Sequence, residues 1–277
     1  MGIRNRRILF SAILGLAFGA AQSYKSVAGE RVLKPEEVVA AHLKSIGDPG
    51  ILQSVKSRAI EGSASVKFIQ GKFRDSPDGE SLMISEGRKL GIIMKFKTLG
   101  YYGEYLAFDG NSVTIGNCDD LTRSRFGHFF SQVDGIMKEG LLGGTLSVAW
   151  PLLDVPGRQP KLKYKKRKIE SRQLHELTYN PKSIWGTEFL RIRIFFEPES
   201  FRHVMTEYKF WRGDMPDSVV LKEIFEDFRE ADGLMLPHRY RIHFSSTNFI
   251  GHWTIEARQW RHNAPMDAEL FKARSLR

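Results

Sequence analysis

The chain has 277 residues, 42% of them hydrophobic and 12% aromatic, with a formal charge of +10 and one cysteine, Cys118. This composition supports one substantial core and excludes both a disordered chain and one that lies in membrane throughout. A lone cysteine excludes an internal disulfide framework.

In chain order, Arg4, Arg6 and Arg7 come first, then the apolar run of residues 8–21, then small residues. That order predicts a secretory signal peptide, residues 1–21, cut before Gln22, with an alternative cut after Ala28. The run is too short to span a bilayer and is apolar all round, unlike an amphipathic surface anchor. Asn5-Arg6-Arg7 is similar to a twin-arginine signal, although ordinary secretion is the expectation. Cys118 lies far from the signal, so lipid attachment at the new N-terminus is excluded and the mature chain is expected to be periplasmic and unanchored. Removing the three signal arginines leaves +7 on residues 22–277. In an envelope, that sign favours anionic lipid head groups over nucleic acid as partners.

Residues 22–277 are expected to form a single domain with a helical insertion at about 125–153. Pro35, Glu36 and Glu37 open a short amphipathic helix in which Val38, Val39, His42, Leu43 and Ile46 recur at helical spacing before Gly47. Ile60, Ala64, Val66 and Phe68 then alternate with polar residues, as on a strand with one wet face. Residues 71–79 read as a turn, Leu82 and Ile84 begin a second strand, and Ile92, Met94 and Phe96 mark a third. Asp109-Gly110 between residues 105–108 and 113–115 is a strong hairpin signal.

From Phe126 to Leu141 the apolar spacing turns helical, and Leu146, Trp150 and Leu152 continue apolar beyond Gly140, Gly143 and Gly144. Strands resume at about residues 174–179, 188–196, 204–211, 221–228, 236–244 and 252–260, with Asp232-Gly233 as a further turn and Pro237 suited to an edge or a strand's beginning. About ten strands, one N-terminal helix and a greasy insertion predict an α+β fold, a curved antiparallel sheet wrapped around helices.

This order of elements resembles the LolA/LolB-like fold of bacterial lipoprotein carriers, from the signal peptide and first helix to the hairpin at Phe108-Asp109-Gly110. The closing Met266-Asp267-Ala268-Glu269-Leu270-Phe271, after Asn263 and Pro265, is similar to the family's ending. The resemblance implies an unclosed barrel whose concave apolar side accepts acyl chains beneath a helical lid, and a non-catalytic role in lipoprotein sorting. The implied liners are Val66, Phe68, Ile92, Met94, Phe96, Ile136, Met137, Leu141, Leu146, Trp150, Ile192, Ile194 and Phe196. The alternative for each is ordinary core. Arg88 lies nearest the family's lid-holding arginine, although Ser85-Glu86-Gly87-Arg88-Lys89 does not reproduce the local pattern. Burying about ten methylenes supplies roughly 8 kcal/mol, or about micromolar affinity.

Chemistry-bearing motifs are lacking. The eight histidines are scattered without His-Glu-x-x-His spacing, so neither metal nor cofactor is expected. His175 and His243 are expected on exposed or partly buried strand faces. No Gly-x-Ser-x-Gly elbow occurs, Gly143-Gly144 lacks a phosphate-loop lysine, and Asp119-Asp120 reads as a turn or helix cap. Cys118 has no cation beside it in the sequence to activate a thiolate.

The densest charge run, with Lys163, Lys165, Lys166 and Lys168 at its centre, suits an exposed edge or projecting hairpin. It is read either as a solvated edge or as a surface for anionic lipid or an acidic envelope partner. Three functions remain open at this stage: a monomeric carrier or sensor of acyl chains or lipoproteins, an envelope scaffold docking through the basic run, and an envelope hydrolase.

Overall fold

The computed structural model describes residues 33–98, 100–116, 123–182, 190–210 and 219–276. The predicted signal peptide, Cys118, Asp119 and Asp120 lie outside the described residues. Residues from Leu33 onward form one compact unit.

Two meanders build the sheet. The first comprises β1 (Ser57–Gln70), β2 (Ser76–Glu86), β3 (Lys89–Thr98), β4 (Tyr101–Phe108) and β5 (Val113–Ile115). The second comprises β6 (Lys161–Ile169), β7 (Arg172–Asn180), β8 (Leu190–Phe196), β9 (His203–Phe210), β10 (Val219–Ala231), β11 (Leu234–Ser246) and β12 (Phe249–His262). The meanders join where β1 pairs with β12, giving one twelve-stranded antiparallel sheet with β5 and β6 at its two ends. The sheet does not close into a barrel, because β5 and β6 do not pair.

Local chemistry explains the hairpins. Asp232 and Gly233 have φ of 51° and 79° between the paired Ala231 and Leu234, the two positive angles of a type I′ turn. At the β4–β5 turn the Asp109 carboxylate accepts the amides of Asn111 and Ser112 at 2.9 and 2.7 Å. Pro237 lies opposite Phe228 inside β11, but β12 pairs with β11 only from Arg239 onward, so its missing N–H falls where that ladder has not begun.

Helix α1 (Pro35–Ile46) starts with proline at its first turn, and the Glu37 carboxylate accepts the Lys34 amide at 2.8 Å. A second helix, α2 (Pro49–Ser54), follows, with the Asp48 side chain accepting the Gly50 amide.

The connection from β5 to β6 joins opposite ends of the sheet, a path of about 50 Å along a flat sheet at about 4.8 Å per strand. It crosses the concave face as α3 (Arg125–Gln132), α4 (Gly135–Lys138), 3-10 turns at Gly144–Leu146 and Pro151–Asp154, and α5 (Val155–Arg158). The inward rows and this connection form one apolar cluster.

The outer face of the first meander is covered by the C-terminal segment, whose turn at Ala268–Phe271 seats Phe271 against Ala59 and Ile84. Leu82 and Ile84, which begin the second strand in the sequence, belong to this outer layer, while Met83 faces the main core. The basic run is β6, an end strand.

Candidate functional site

The residues nominated from the sequence are brought together. Val66, Ile92, Met94, Phe96, Ile192, Ile194 and Phe196 on the strands and Ile136, Met137, Leu141, Leu146 and Trp150 on the insertion are each at most 3% exposed, within one cluster. Phe68 is partly buried at one end of it, 5.0 to 5.9 Å from the rings of Phe73, Tyr101, Phe249 and Trp253. The unclosed barrel implied by the resemblance would leave this concave side open to acyl chains. In this conformation the connection between the two sheet ends packs into it.

Polar contacts fasten the insertion to the sheet. Glu223 on β10 is fully buried, accepts the Gly143 amide at 2.6 Å, and accepts the hydroxyls of Tyr208 at 2.6 Å and Tyr240 at 2.5 Å. Glu104 on β4 accepts the hydroxyls of Tyr101, at 2.8 Å, and of Ser124, the N-cap of α3. Burial pushes both carboxyls up to about 7, against the pull of the donors that face them. Both glutamates occupy inward positions of otherwise apolar rows, such as Leu221, Glu223 and Phe225, and that break in alternation was the available sequence signal.

Arg58 donates to the Thr145 carbonyl at 2.8 Å, Ser85 accepts the Val148 amide at 3.0 Å, and Arg88 donates to the Lys138 carbonyl at 3.0 Å. Burial lowers the Arg58 guanidinium to about 10. Arg88 sits in the β2–β3 turn and reaches the C-terminal end of α4. Near the end of the insertion, Trp150 Nε1 donates to His42 Nε2 at 3.2 Å, which leaves the proton on His42 Nδ1 to donate to the Phe201 carbonyl at 3.1 Å. Burial holds this imidazole neutral, lowering it to about 4.

An apolar groove of about 720 Å³ opens where α1 and α2 meet the insertion. Leu43, Leu52, Val55, Val148 and Leu153 form its walls, and Lys44 and Lys56 stand among them as its cations. Leu153, one of these wall residues, is 37% exposed. Leu152, next to Leu153 in the chain, and Trp150 are nearly fully buried and belong to the interior cluster. The sequence reading missed this groove because α2, at six residues, is too short to show periodicity; Asp48-Pro49 was its signal.

Lys163, Lys165, Lys166 and Lys168 are exposed along β6, with Lys165 and Arg167 pairing to the buried Glu176 at 3.3 and 2.9 Å. They do not line the groove. His175, expected on an exposed or partly buried face, is buried: its ring stacks on Phe201 at 4.5 Å and bonds Tyr164 at 2.8 Å. Among the described residues no three side chains gather as metal ligands, and no helix is long and apolar enough to cross a membrane.

No protein-family model and no curated protein matches the chain. Solved structures do. A DUF1329 family protein from Desulfovibrio piger superposes with a TM-score of 0.51 at 9% identity, over 87% of this chain and 98% of its own. A putative outer membrane lipoprotein-sorting protein domain from Vibrio parahaemolyticus gives 0.50 at 9% identity, over 86% and 97%. A LolA superfamily protein from Nitrosomonas europaea gives 0.48 at 10% identity, over 87% and 99%. The likeness to the first two is one of fold, the unclosed antiparallel sheet around helices that the sequence led one to expect.

Proposed function

We propose that this protein, with its LolA-like fold, is an exported, non-catalytic carrier or sensor of acyl chains that takes its guest at the groove between α1, α2 and the end of the insertion. The observation that carries this reading is the groove itself: apolar walls, an exposed Leu153, two lysines, and a wall residue, Leu153, that directly follows Leu152 of the interior cluster in the chain.

Magnitudes decide how a guest enters. Expelling the insertion would expose about ten large apolar side chains, from Phe126 to Trp150, at about 2 kcal/mol each, on the order of 20 kcal/mol in all. An acyl chain burying about ten methylenes returns roughly 8 kcal/mol. A single chain therefore displaces at most part of the insertion, and the segment next to the groove, residues 148–158, is the part it meets first, where entry must break the Val148–Ser85 and Trp150–His42 bonds. Arg88 and Glu223 hold the portion before it in place. The lysines suit a carboxylate or phosphate head group.

Binding of a fluorescent fatty acid tests this. Leu52→Asp and Leu153→Asp, both at positions reached by solvent, are expected to weaken binding at least about tenfold while the fold is retained. Unchanged affinity in both folded variants contradicts the reading. A second reading, docking of an acidic envelope partner on β6, is supported by the four exposed lysines there. It requires a salt-sensitive complex that is lost when Lys163, Lys165 and Lys168 become glutamate.

A further inference from the structure

The outer face of the second meander carries a feature that the acyl-chain reading does not use. Strand register places Lys67, His252, His243 and Lys222 side by side on β1, β12, β11 and β10. They alternate with the inward Val66, Trp253, Ile242 and Leu221, so the four stand together on the outer face. Around them lies an open depression of about 840 Å³, bordered also by Arg241 and Asp75.

The two histidines bond each other, Nδ1 of His243 to Nε2 of His252, at 2.6 Å. One proton sits between those nitrogens. In the neutral pair, the two remaining nitrogens offer one N–H donor and one lone pair. Uptake of a single further proton turns both outer nitrogens into donors beside two lysines.

The surrounding charges leave this arrangement unsatisfied. Arg241 is paired with Glu226 at 2.7 Å, and Lys222 reaches Glu207 only at 3.8 Å, a carboxylate that already holds Arg193. The Asp75 carboxylate accepts the Phe68 amide at 2.7 Å. Lys67 has no carboxylate partner among the described residues. Burial lowers both histidines first; His252 and then Lys222 add to it at His243, and Arg241 and Lys67 at His252.

We propose that this depression is a receptor for a tetrahedral oxyanion, a phosphate group, held by the paired imidazoles of His243 and His252 between Lys67 and Lys222. A doubly donating imidazole pair flanked by ammonium groups matches phosphate oxygens in charge and in hydrogen-bond sense. The bound anion supplies the negative charge that the pair needs to keep its extra proton, so binding and proton uptake are coupled. The site is separate from the groove at α1 and α2 and shares no lining residue with it.

Calorimetric titration of the purified protein tests the proposal. Inorganic sulfate, which keeps its charge across this range, is titrated first, so that any pH dependence belongs to the protein. Affinity is expected to be about tenfold tighter at about pH 6 than at about pH 8, where the extra proton is lost. In the double variant H243Q/H252Q the dependence on pH should vanish and affinity at the lower pH should drop to the level of the higher. Inorganic phosphate and vesicles containing phosphatidic acid then identify the source of the group, with phosphatidylcholine vesicles for comparison. Response to phosphate supports a free phosphate ligand, and response to phosphatidic acid alone supports a lipid head group, provided that H243Q/H252Q reduces either one. Failure of all three probes at the lower pH, or binding untouched by the double variant, overturns the proposal.

Discussion

At the scale of single residues, the telling groups are carboxylates where an apolar row should continue. Glu223 and Glu104 are held by tyrosine hydroxyls and by the insertion itself, and burial raises each to about 7. A carboxyl raised in the folded state contributes stability that is fully present below its unfolded value of about 4.5 and is lost as pH climbs through about 7. His42 works in the opposite sense: lowered to about 4, it contributes stability above its unfolded value of 6.5 that is lost as pH falls toward about 4. The two effects offset each other in the intact protein over the shared window. Glu223→Gln separates them. Relative to wild type, the variant is expected to gain about 3 kcal/mol between about pH 4.5 and about pH 8, because only the wild type must ionise a buried acid. Denaturant midpoints at the two pH values measure this, and a constant difference contradicts it.

At the scale of elements, much was legible in the sequence because periodicity reports local geometry. The spacing from Val38 to Ile46 placed α1, and alternation in residues 92–96, 192–196 and 240–244 placed the inward rows. Asp109-Gly110 and Asp232-Gly233 fixed two hairpins through backbone angles that few other residues adopt. What resisted reading was whatever depended on pairing between distant segments. Leu82 and Ile84 look like core residues in isolation, and only the return of Phe271 from the far end of the chain explains why they face outward. The His243–His252 pair required the β11–β12 register, which places them opposite each other across a turn at Thr247 and Asn248.

The insertion also depends on glycine where its path is tightest. Gly140 has φ of 75°, and a Cβ there would lie 2.2 Å from the Ala149 carbonyl oxygen. Gly140→Ala therefore combines a left-handed backbone with a backbone clash, and is expected to cost at least about 2 kcal/mol. A melting temperature equal to wild type contradicts this packing of the insertion.

At the scale of the whole molecule, topology makes the insertion what it is. A chain that ends one meander at β5 and begins the next at β6 must cross the sheet, and the crossing segment is apolar because the face it crosses is apolar. The segment thus serves as core and as cover together, tethered at both ends of the sheet. That is why a guest is expected to loosen its final stretch, next to the groove of Leu52 and Leu153, instead of expelling it entire. Hydrogen exchange with and without palmitate addresses this most directly. The account predicts that palmitate changes amide exchange in residues 148–158 and in α2, while β1 and β12 at the centre of the sheet keep their protection. Identical exchange throughout the chain at saturating palmitate would contradict it.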